Sequence, residues 1–375
     1  MFISEAQYIK LKRFILGIVA IALIVLAWPS CHGPNHESIA VEKFYWKNYR
    51  GFNVSCNIKE ADVAALAASG ANLMRLSMPV CAFMDLEEPY TYRPEAFAIL
   101  DSVLNWGEKY QVNVLIDPHR YPGTMHQWTM LGTDPFWQDF KYHDILLNFW
   151  DTLAAYNAHR GEVIAGYDLL NEPEMKLDAP KASPADINYL YQRLTDTIRK
   201  RDSVHTIVYA LPRFYIEEEK KMYAYHKSIP YFQLPDDDNI CIETHMYLPV
   251  PFTHQNIWEE GEFVSYPSKI EGEYWDKQRL EIDQKELIDF AASNPAIPIF
   301  VGEFSSPRWT GQDGVRYMTD VIELNEANGW SWVYHAFREN QVWDPEMSIE
   351  YREDSTRIDP APRMELLKAY FKRNK

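Results

Sequence analysis

The sequence feature that most constrains the fold is a repeated alternation of short apolar runs with amphipathic stretches. Eight runs have the length and composition of strands, and most are apolar on both faces. They are GFNVS (51–55), ANLMRLSM (71–78), VNVLIDPH (112–119), IAGYDLLNE (164–172), TIVYALP (206–212), ICIETHMY (240–247), IPIFVGEF (297–304) and WSWVYHAF (330–337). Runs of this kind are typical of a parallel sheet whose two faces are covered by helices.

Helical patterns lie between these runs. They occur at residues 60–70, 94–110, 143–159 and 187–202, and in the C-terminal stretch 364–375. Strand and helix therefore alternate along about 330 residues, a length that suits one (β/α)8 TIM barrel of the α/β class. An open doubly wound sheet is the alternative, but it usually carries a Gly-rich first turn that this sequence lacks.

The first 31 residues have the organisation of an export signal. Basic residues precede an apolar run, FILGIVAIALIVLAW, which is followed by Pro29, Ser30 and Cys31. At about 15 residues the run is short for a membrane-spanning helix, which needs about 20. A cysteine at this place resembles the lipid-attachment box of bacterial lipoproteins, so we expect cleavage before Cys31 and lipid attachment to it. An uncleaved N-terminal anchor is the alternative, and both interpretations place the globular part outside the cytoplasm.

Residues 32–43 are predicted to form a polar tether, and residues 44–375 a single barrel domain. After the export segment three cysteines remain, Cys56, Cys81 and Cys241. An odd number allows one disulfide and one free thiol, and the sequence does not identify the pair.

Charge and motif content argue against several classes of function. The net charge of −17 and the lack of a basic stripe argue against a nucleic-acid partner, because phosphate binding needs clustered Lys and Arg. No zinc-binding spacing, P-loop or Gly-rich dinucleotide motif is present, so no metal or organic cofactor is expected. Aromatic residues make up 14% of the chain, and flat rings can stack on sugars, although they are also ordinary core residues.

Polar side chains recur at the C-terminal ends of the predicted strands. They are Arg75, His119, Asn171, Glu172, His245, Tyr247, Glu303 and His335. In a barrel these ends meet on one face around a common axis, so residues distant in sequence become neighbours. One such residue alone would be an ordinary satisfied polar group, but six strands that end in this way predict a shared site.

Two of these residues are glutamates, Glu172 and Glu303. Paired carboxylates over one pocket are the groups that glycoside hydrolysis needs: one protonates the leaving oxygen, and the other attacks the anomeric carbon or activates water. These roles require different pKa values. We expect Arg75 and Tyr247 to keep one glutamate ionised, while the other keeps its proton in a drier setting.

The segments NLMRLSM, IDPH, YDLLNEP, THMY and VGEF together resemble glycoside hydrolase family 5, whose cellulase-type members are retaining (β/α)8-barrel enzymes. The resemblance extends from about residue 48 to residue 373. It implies a cellulase-like, retaining β-glycoside hydrolase that acts on a β-linked oligo- or polysaccharide, with Glu172 as acid/base and Glu303 as nucleophile. A carbohydrate is then the expected partner of a monomeric enzyme that touches the membrane only through its N-terminus.

The same resemblance implies supporting roles for other strand-end residues. Asn171 would hydrogen-bond the sugar 2-hydroxyl, and Arg75 and Tyr247 would orient the nucleophile. His119 would contact the sugar at the cleavage subsite, and His245 would lie near the acid/base.

The eighth run departs from the family pattern. Many members end this strand in a tryptophan that forms the floor of the cleavage subsite, but here His335 occupies the expected position. Trp332 or Trp343 is the expected replacement platform. The departure argues against assuming plain cellulose as the substrate.

Two long excursions, at 121–140 and 251–275, supply further candidate walls of the site. Their possible sugar-stacking residues are Trp128, Trp137, Trp258 and Trp275. For each of these, packing of its own loop is the alternative.

Three other functions stay open from sequence. A metal-dependent barrel hydrolase would be expected to show a His-x-His spacing, which is absent. A non-catalytic sugar-binding barrel would be favoured if either glutamate were missing. An exo-acting glycosidase on another glycan would use the same two carboxylates.

Overall fold

Eight parallel strands close into a barrel in the computed structural model of this protein, which describes residues 43–124, 134–216, 219, 221–350, 352 and 354–374. The barrel strands are β1 (Arg50–Ser55), β2 (Leu73–Ser77), β3 (Asn113–Asp117), β4 (Ile164–Asp168), β5 (Thr206–Ala210), β6 (Ile240–His245), β7 (Ile299–Glu303) and β8 (Ser331–Tyr334). Each strand pairs in parallel with its neighbours in sequence, and β8 pairs with β1. The predicted (β/α)8 barrel and all eight predicted strands are therefore confirmed.

Helices connect the strands and cover the outside of the barrel. They are α1 (Glu60–Ala68), α2 (Val80–Phe83), α3 (Pro94–Tyr110), α4 (Phe140–Asn157), α5 (Ile187–Arg199), α6 (Val250–Thr253), α7 (Lys277–Asp283), α8 (Lys285–Ser293), α9 (Gly311–Ala327) and α10 (Pro362–Phe371). Short 3₁₀ segments occur at Pro135–Trp137, Gly161–Val163, Tyr225–Tyr231, Arg308–Thr310 and Lys372–Asn374. Helices α1, α3, α4, α5 and α10 correspond to the five predicted helical stretches.

Two small sheets lie outside the barrel. One has three strands, Glu174–Met175, Arg213–Ile216 and Lys221–Tyr223, and the other is a hairpin of Ser268–Ile270 with Glu273–Trp275. Both belong to excursions that follow the C-terminal ends of barrel strands, where barrels build their sites.

The interior of the barrel has an apolar layer below a charged layer. The apolar layer consists of Tyr49, Leu73, Leu115, Ala165, Val208, Cys241, Phe300 and Val333. Two residues further along β2, β3 and β6, the inward positions are Arg75, Asp117 and Glu243, all fully buried. Because side chains alternate across a strand, this charged layer lies directly beneath the C-terminal face.

The three cysteines among the described residues, Cys56, Cys81 and Cys241, are all free. Within the described part of the chain, no helix combines the length and the apolar character needed to cross a membrane. The predicted export segment with Cys31, the tether apart from residue 43, and Trp128 lie outside the described residues.

Candidate active site

The C-terminal ends of the strands surround a cavity of about 630 Å³. Most of the predicted site residues line it: His119, Asn171, Glu172, His245, Tyr247, Glu303, His335 and Trp343. The barrel thus brings together polar residues from five different strand ends, as predicted. A cavity of this size is in the range of sites for small organic ligands.

Glu303, the last residue of β7, is held from two sides. Arg75 Nη1 donates to Oε1 at 3.0 Å, and the Tyr247 hydroxyl donates to Oε2 at 2.9 Å. Burial by itself would raise the pKa of the Glu303 carboxyl, but His245, His335 and Arg75 lower the pKa to about 2. Glu303 is therefore an oriented carboxylate, and the predicted neighbours Arg75 and Tyr247 are in place.

Glu172 follows β4 and faces Glu303 across the cavity. Its backbone has φ +45°, in the left-handed region that non-glycine residues rarely adopt. The Tyr225 hydroxyl donates to Oε1 at 2.6 Å, and His245 Nδ1 lies 3.0 Å from the same oxygen. Carboxylate oxygens of Glu172 and Glu303 lie within 4.8 Å of each other. This separation fits the spacing of about 5–5.5 Å in retaining glycosidases better than about 6.5–9.5 Å in inverting ones.

The expectation that one glutamate keeps its proton is wrong, because the pKa values of both carboxyl groups are lowered. Burial would raise the pKa of Glu172, but the hydrogen bond and charge of His245, together with Arg213, bring it below its usual range. Burial would lower the pKa of His245, but the charge of Glu303 and hydrogen bonds to Glu172 and Glu243 raise it to about 10. The proton therefore lies on the imidazole between the carboxylates.

Arg75 is the centre of the buried charged layer. Its guanidinium contacts Asp168 (Nη2, 2.7 Å), Asp117 (Nη1, 3.0 Å), Glu243 (Nε, 3.2 Å) and Glu303 (Nη1, 3.0 Å). One buried cation faces four carboxyl groups, and such an excess of negative charge favours protonation of some of them. Burial and the charge of Glu243 hold the pKa of Asp168 well above its usual range.

Asn171 and His119 occupy the side of the cavity near β3 and β4. Asn171 accepts a hydrogen bond from Arg75 Nη2 at 2.9 Å, which leaves its amide nitrogen 3.4 Å from His119 Nε2. His119 Nδ1 donates to Asp117 Oδ2 at 2.8 Å. Both residues line the cavity, and their contact with a ligand stays a prediction.

His335 lies beyond β8 with its Nδ1 3.9 Å from Glu303 Oε2. The Trp343 ring contacts the His335 ring, with centroids 5.8 Å apart, and also lines the cavity. His335 therefore lies near Glu303, and Trp343 is the tryptophan close to it, while the role of His335 at the cleavage subsite stays a prediction.

The prediction that Trp332 could be the platform for a sugar ring is wrong. The side chain is fully buried, stacks on Phe371 at 5.6 Å, and donates to Glu326 at 2.9 Å, on the helical side of the strand. The neighbouring Val333 belongs to the apolar layer inside the barrel, so strand alternation turns Trp332 outward.

The loop tryptophans divide between wall and core. Trp258 is 64% exposed, lines the cavity and stacks on His254 at 5.7 Å, so it is available to a ligand. Trp137 is buried against Phe136 and lines a smaller adjoining cavity of about 70 Å³. Trp275 is buried in the core and lies against the Arg279 guanidinium. The prediction that it forms a wall of the site is therefore wrong.

Sequence reasoning missed several residues that shape the site, chiefly Tyr225, Arg213, Glu243 and His254. Tyr225 lies in an irregular 3₁₀ segment, and no local pattern marks it. Glu243 could have been found, because it precedes His245 by two positions on β6 and must share its inward face.

Glu172, His245 and Glu303 are also the group of described residues whose spacing could surround a metal ion. Each is already hydrogen-bonded within the protein, to Tyr225, Glu243 and Arg75 respectively. Their arrangement is thus explained by protein contacts.

A closed (β/α)8 barrel with two carboxylates facing each other across a cavity at its C-terminal face defines the class of retaining glycoside hydrolases. Residues 37–341 match the family Cellulase (glycosyl hydrolase family 5). The chain belongs to this family. The predicted family, fold and enzyme class, a retaining β-glycoside hydrolase acting on O-glycosyl bonds, are thereby confirmed.

Curated relatives include endoglucanases. The chain is 24% identical over 339 residues to Endoglucanase 3 of Fibrobacter succinogenes, and the matched region covers 78% of this chain and 48% of that protein. It is 25% identical over 303 residues to Endoglucanase C of Acetivibrio thermocellus, which covers 79% of each. The chain thus spans about half the length of the first relative and most of the second.

Solved structures show the same fold at low identity. A hyperthermophilic endo-beta-1,4-glucanase in complex with substrate has a TM-score of 0.64 and 20% identity, covering 84% of this chain and 96% of that chain. The cellulose synthase subunit Z from Clostridioides difficile has a TM-score of 0.65 and 18% identity, covering 86% and 99%.

Proposed function

We propose that this protein hydrolyses a β-linked oligo- or polysaccharide with retention of configuration, with Glu303 as nucleophile and Glu172 as general acid/base. The observation that carries the proposal is the pair of facing carboxylates, with oxygens within 4.8 Å and different partners. Glu303 is ionised and aimed by Arg75 and Tyr247, whereas Glu172 shares a hydrogen bond with a protonated imidazole.

In the first step Glu303 attacks the anomeric carbon while Glu172 delivers a proton to the leaving oxygen. In the second step Glu172 removes a proton from water, which displaces Glu303 from the same carbon. Two displacements at one centre restore the original anomer. Asn171, fixed by Arg75, is positioned to hydrogen-bond the 2-hydroxyl of the sugar, and His119 lines the same side of the cavity.

A β-glucan is the first substrate to test, because the curated relatives are named endoglucanases. His335 in contact range of Glu303 makes the cleavage subsite more polar than a tryptophan floor would, so other β-linked glycans belong in the same screen. Trp343 and Trp258 are the proposed stacking surfaces of the cavity.

The deciding experiment is proton NMR of the first product released from an aryl β-glycoside. We expect the β-anomer, and the α-anomer would exclude the retaining mechanism. Glu172→Ala should still form the glycosyl-enzyme from aryl glycosides with good leaving groups, then stall, and added azide should yield a β-glycosyl azide. Glu303→Gln should be inactive on every substrate.

Three results would contradict this assignment. Formation of a β-glycosyl azide by Glu303→Gln would exchange the roles of the two residues, because a variant that lacks the nucleophile can only give the inverted α-azide. Loss of activity with a chelator, restored by a metal ion, would support the metal-dependent alternative. Sugar binding without turnover by the wild-type protein would support the non-catalytic barrel.

We also propose that the enzyme is exported and lipid-anchored through Cys31, in the cell envelope of a bacterium. The support is the order of basic residues, apolar run and cysteine in the first 31 residues. In a bacterial host, Cys31→Ser should abolish lipid attachment while Cys56→Ser leaves it unchanged. Mass spectrometry that finds an unmodified Cys31 on an intact N-terminus would contradict the proposal.

A further inference from the structure

His245 bridges two carboxylates. Its Nδ1 lies 3.0 Å from Glu172 Oε1, and its Nε2 lies 3.2 Å from Glu243 Oε1. An ionised carboxylate only accepts hydrogen bonds, so both ring nitrogens must carry a proton to satisfy this geometry. The imidazole is therefore set as a cation between the general acid/base and a second, deeper carboxyl group.

Glu243 has a closely fitted position inside the barrel. The side chain is fully buried, and Arg75 Nε lies 3.2 Å from Oε1. A Cβ added at Gly302 of the neighbouring strand β7 would lie only 1.6 Å from Glu243 Oε1, so the carboxyl occupies the space that this glycine leaves. Glu243 touches no part of the cavity surface, and its contacts lead to His245, Arg75 and Asp168.

We propose that Glu243 is a positioning residue for the acid/base proton: by accepting from His245 Nε2, it holds the imidazole with Nδ1–H toward Glu172 and keeps a proton stored there. This inference rests on the proposed role of Glu172. It adds a residue that acts through His245 and never contacts the substrate.

The proton transfers balance without any further reactant. At rest the pair consists of ionised Glu172 and protonated His245. As the glycosidic bond breaks, Glu172 receives a proton from His245 Nδ1 and passes it to the leaving oxygen, so that His245 becomes neutral and Glu172 is ionised again. In the second step the water proton taken by Glu172 passes back to His245, and the resting state is restored.

Other charged or titratable groups surround this chain of carboxyl and imidazole groups. Those facing His245 are Glu172, Glu303, Tyr225 and Tyr247, and those facing Glu243 are Arg75, Asp168, Tyr191 and Cys241. Asp168 Oδ1 and Glu243 Oε2 are both buried without a donor among the described residues. Burial and the charge of Glu243 raise the pKa of Asp168, which favours a proton on Asp168 and leaves Glu243 as the acceptor for His245.

The test is the pH profile of kcat/KM for Glu243→Gln, measured on a phenyl and a dinitrophenyl β-glycoside of the same sugar. Removing the negative charge weakens the proton affinity of the Glu172–His245 pair. The alkaline limb for the phenyl glycoside, which needs the acid, should move to lower pH by about one unit or more. First-step rates with the dinitrophenyl glycoside, which needs no acid, should stay within about twofold of wild type.

Asp117→Asn is the matched control, because it also removes a buried carboxylate from Arg75 but touches His119 instead of His245. It should leave the alkaline limb in place. Glu243→Asp, which keeps the charge, should return the alkaline limb most of the way to its wild-type pH.

A direct readout separates this inference from the proposed function. In protein labelled with ¹⁵N-histidine, the His245 signals, assigned by their loss in His245→Gln, should titrate at lower pH in Glu243→Gln than in wild type. An unchanged titration and limb, or equal shifts in Asp117→Asn, would overturn the positioning role. The His245 titration could shift in Glu243→Gln while the wild-type enzyme releases its product with inverted configuration. That combination would overturn the proposed function and, with it, the role of the stored proton.

Discussion

Two glutamates with the same functional group receive different surroundings in this site. Glu303 is held by a guanidinium and a phenol, which do not exchange protons near neutral pH, so it is suited to remain an anion. Glu172 is held by a phenol and an imidazole, and the imidazole can exchange a proton with it. The difference in chemical role follows from these partners.

His335 is the residue that most distinguishes the proposed cleavage subsite. Its ring lies 3.9 Å from Glu303 and packs against Trp343. His335→Ala should lower kcat by about tenfold or more, with a smaller change in KM, because an interaction next to the reacting ring is strongest in the transition state.

The matched comparison for that prediction is Trp258→Ala, which removes a stacking surface further from the carboxylates. This variant should mainly raise KM for oligosaccharides. Steady-state kinetics on the best substrate measure both. An unchanged kcat in His335→Ala would show that the histidine does not act at the reacting sugar.

Strands β6 and β7 lie close together at Gly302, where β7 has no side chain. A methyl group at position 302 would overlap the Glu243 carboxyl, and Asn53 Nδ2 also donates to the Gly302 carbonyl at 2.8 Å. Gly302→Ala should therefore lower the free energy of unfolding by about 1–3 kcal/mol through overpacking. Urea denaturation followed by circular dichroism measures the change.

Gly261→Ala is the control for this prediction. A Cβ there would meet only Asn256 Oδ1, at 3.6 Å, so the free energy of unfolding should change by no more than about 0.5 kcal/mol. Equal stability of the two variants would mean that Glu243 does not occupy the space beside residue 302.

The small three-stranded sheet helps to place a residue of the proposed active site. Its strand Lys221–Tyr223 leads directly into the 3₁₀ segment that carries Tyr225 to Glu172. The excursion after β5, which belongs to none of the barrel strands, thereby supplies a hydrogen bond to Glu172, the proposed acid/base.

For the whole molecule, the charged layer links stability to pH. The pKa of His245 is raised from 6.5 to about 10 in the folded protein, so its stabilising contribution is fully present below 6.5 and is lost as the pH rises through about 10. We expect the free energy of unfolding of the wild-type protein to fall across this window. Urea unfolding at several pH values measures the slope.

His245→Gln should show a smaller slope over the same window, because the titrating group is gone. His254→Gln is the comparison, since burial lowers the pKa of His254 to about 4 and it stays neutral throughout this range. If His245→Gln has the wild-type slope, the imidazole does not hold the extra proton.

The barrel and the pair of facing glutamates could be predicted from the amino-acid sequence. Apolar runs alternate with helical stretches, and a strand's alternation is a local property that tertiary contacts do not change. Because parallel strands in a barrel end at one face, Glu172 and Glu303 could be placed together without coordinates. The same alternation, applied strictly, would have placed Glu243 inside and Trp332 outside.

The groups that surround each carboxylate come from segments that are distant in sequence. Tyr225 reaches Glu172 from an irregular segment, and the four carboxyl groups around Arg75 come from different strands. A pKa depends on burial and on charges nearby in space, not on neighbours in sequence. For this reason the two carboxylates could be predicted from the sequence, whereas the proton on His245 follows only from the groups that surround it in the folded chain.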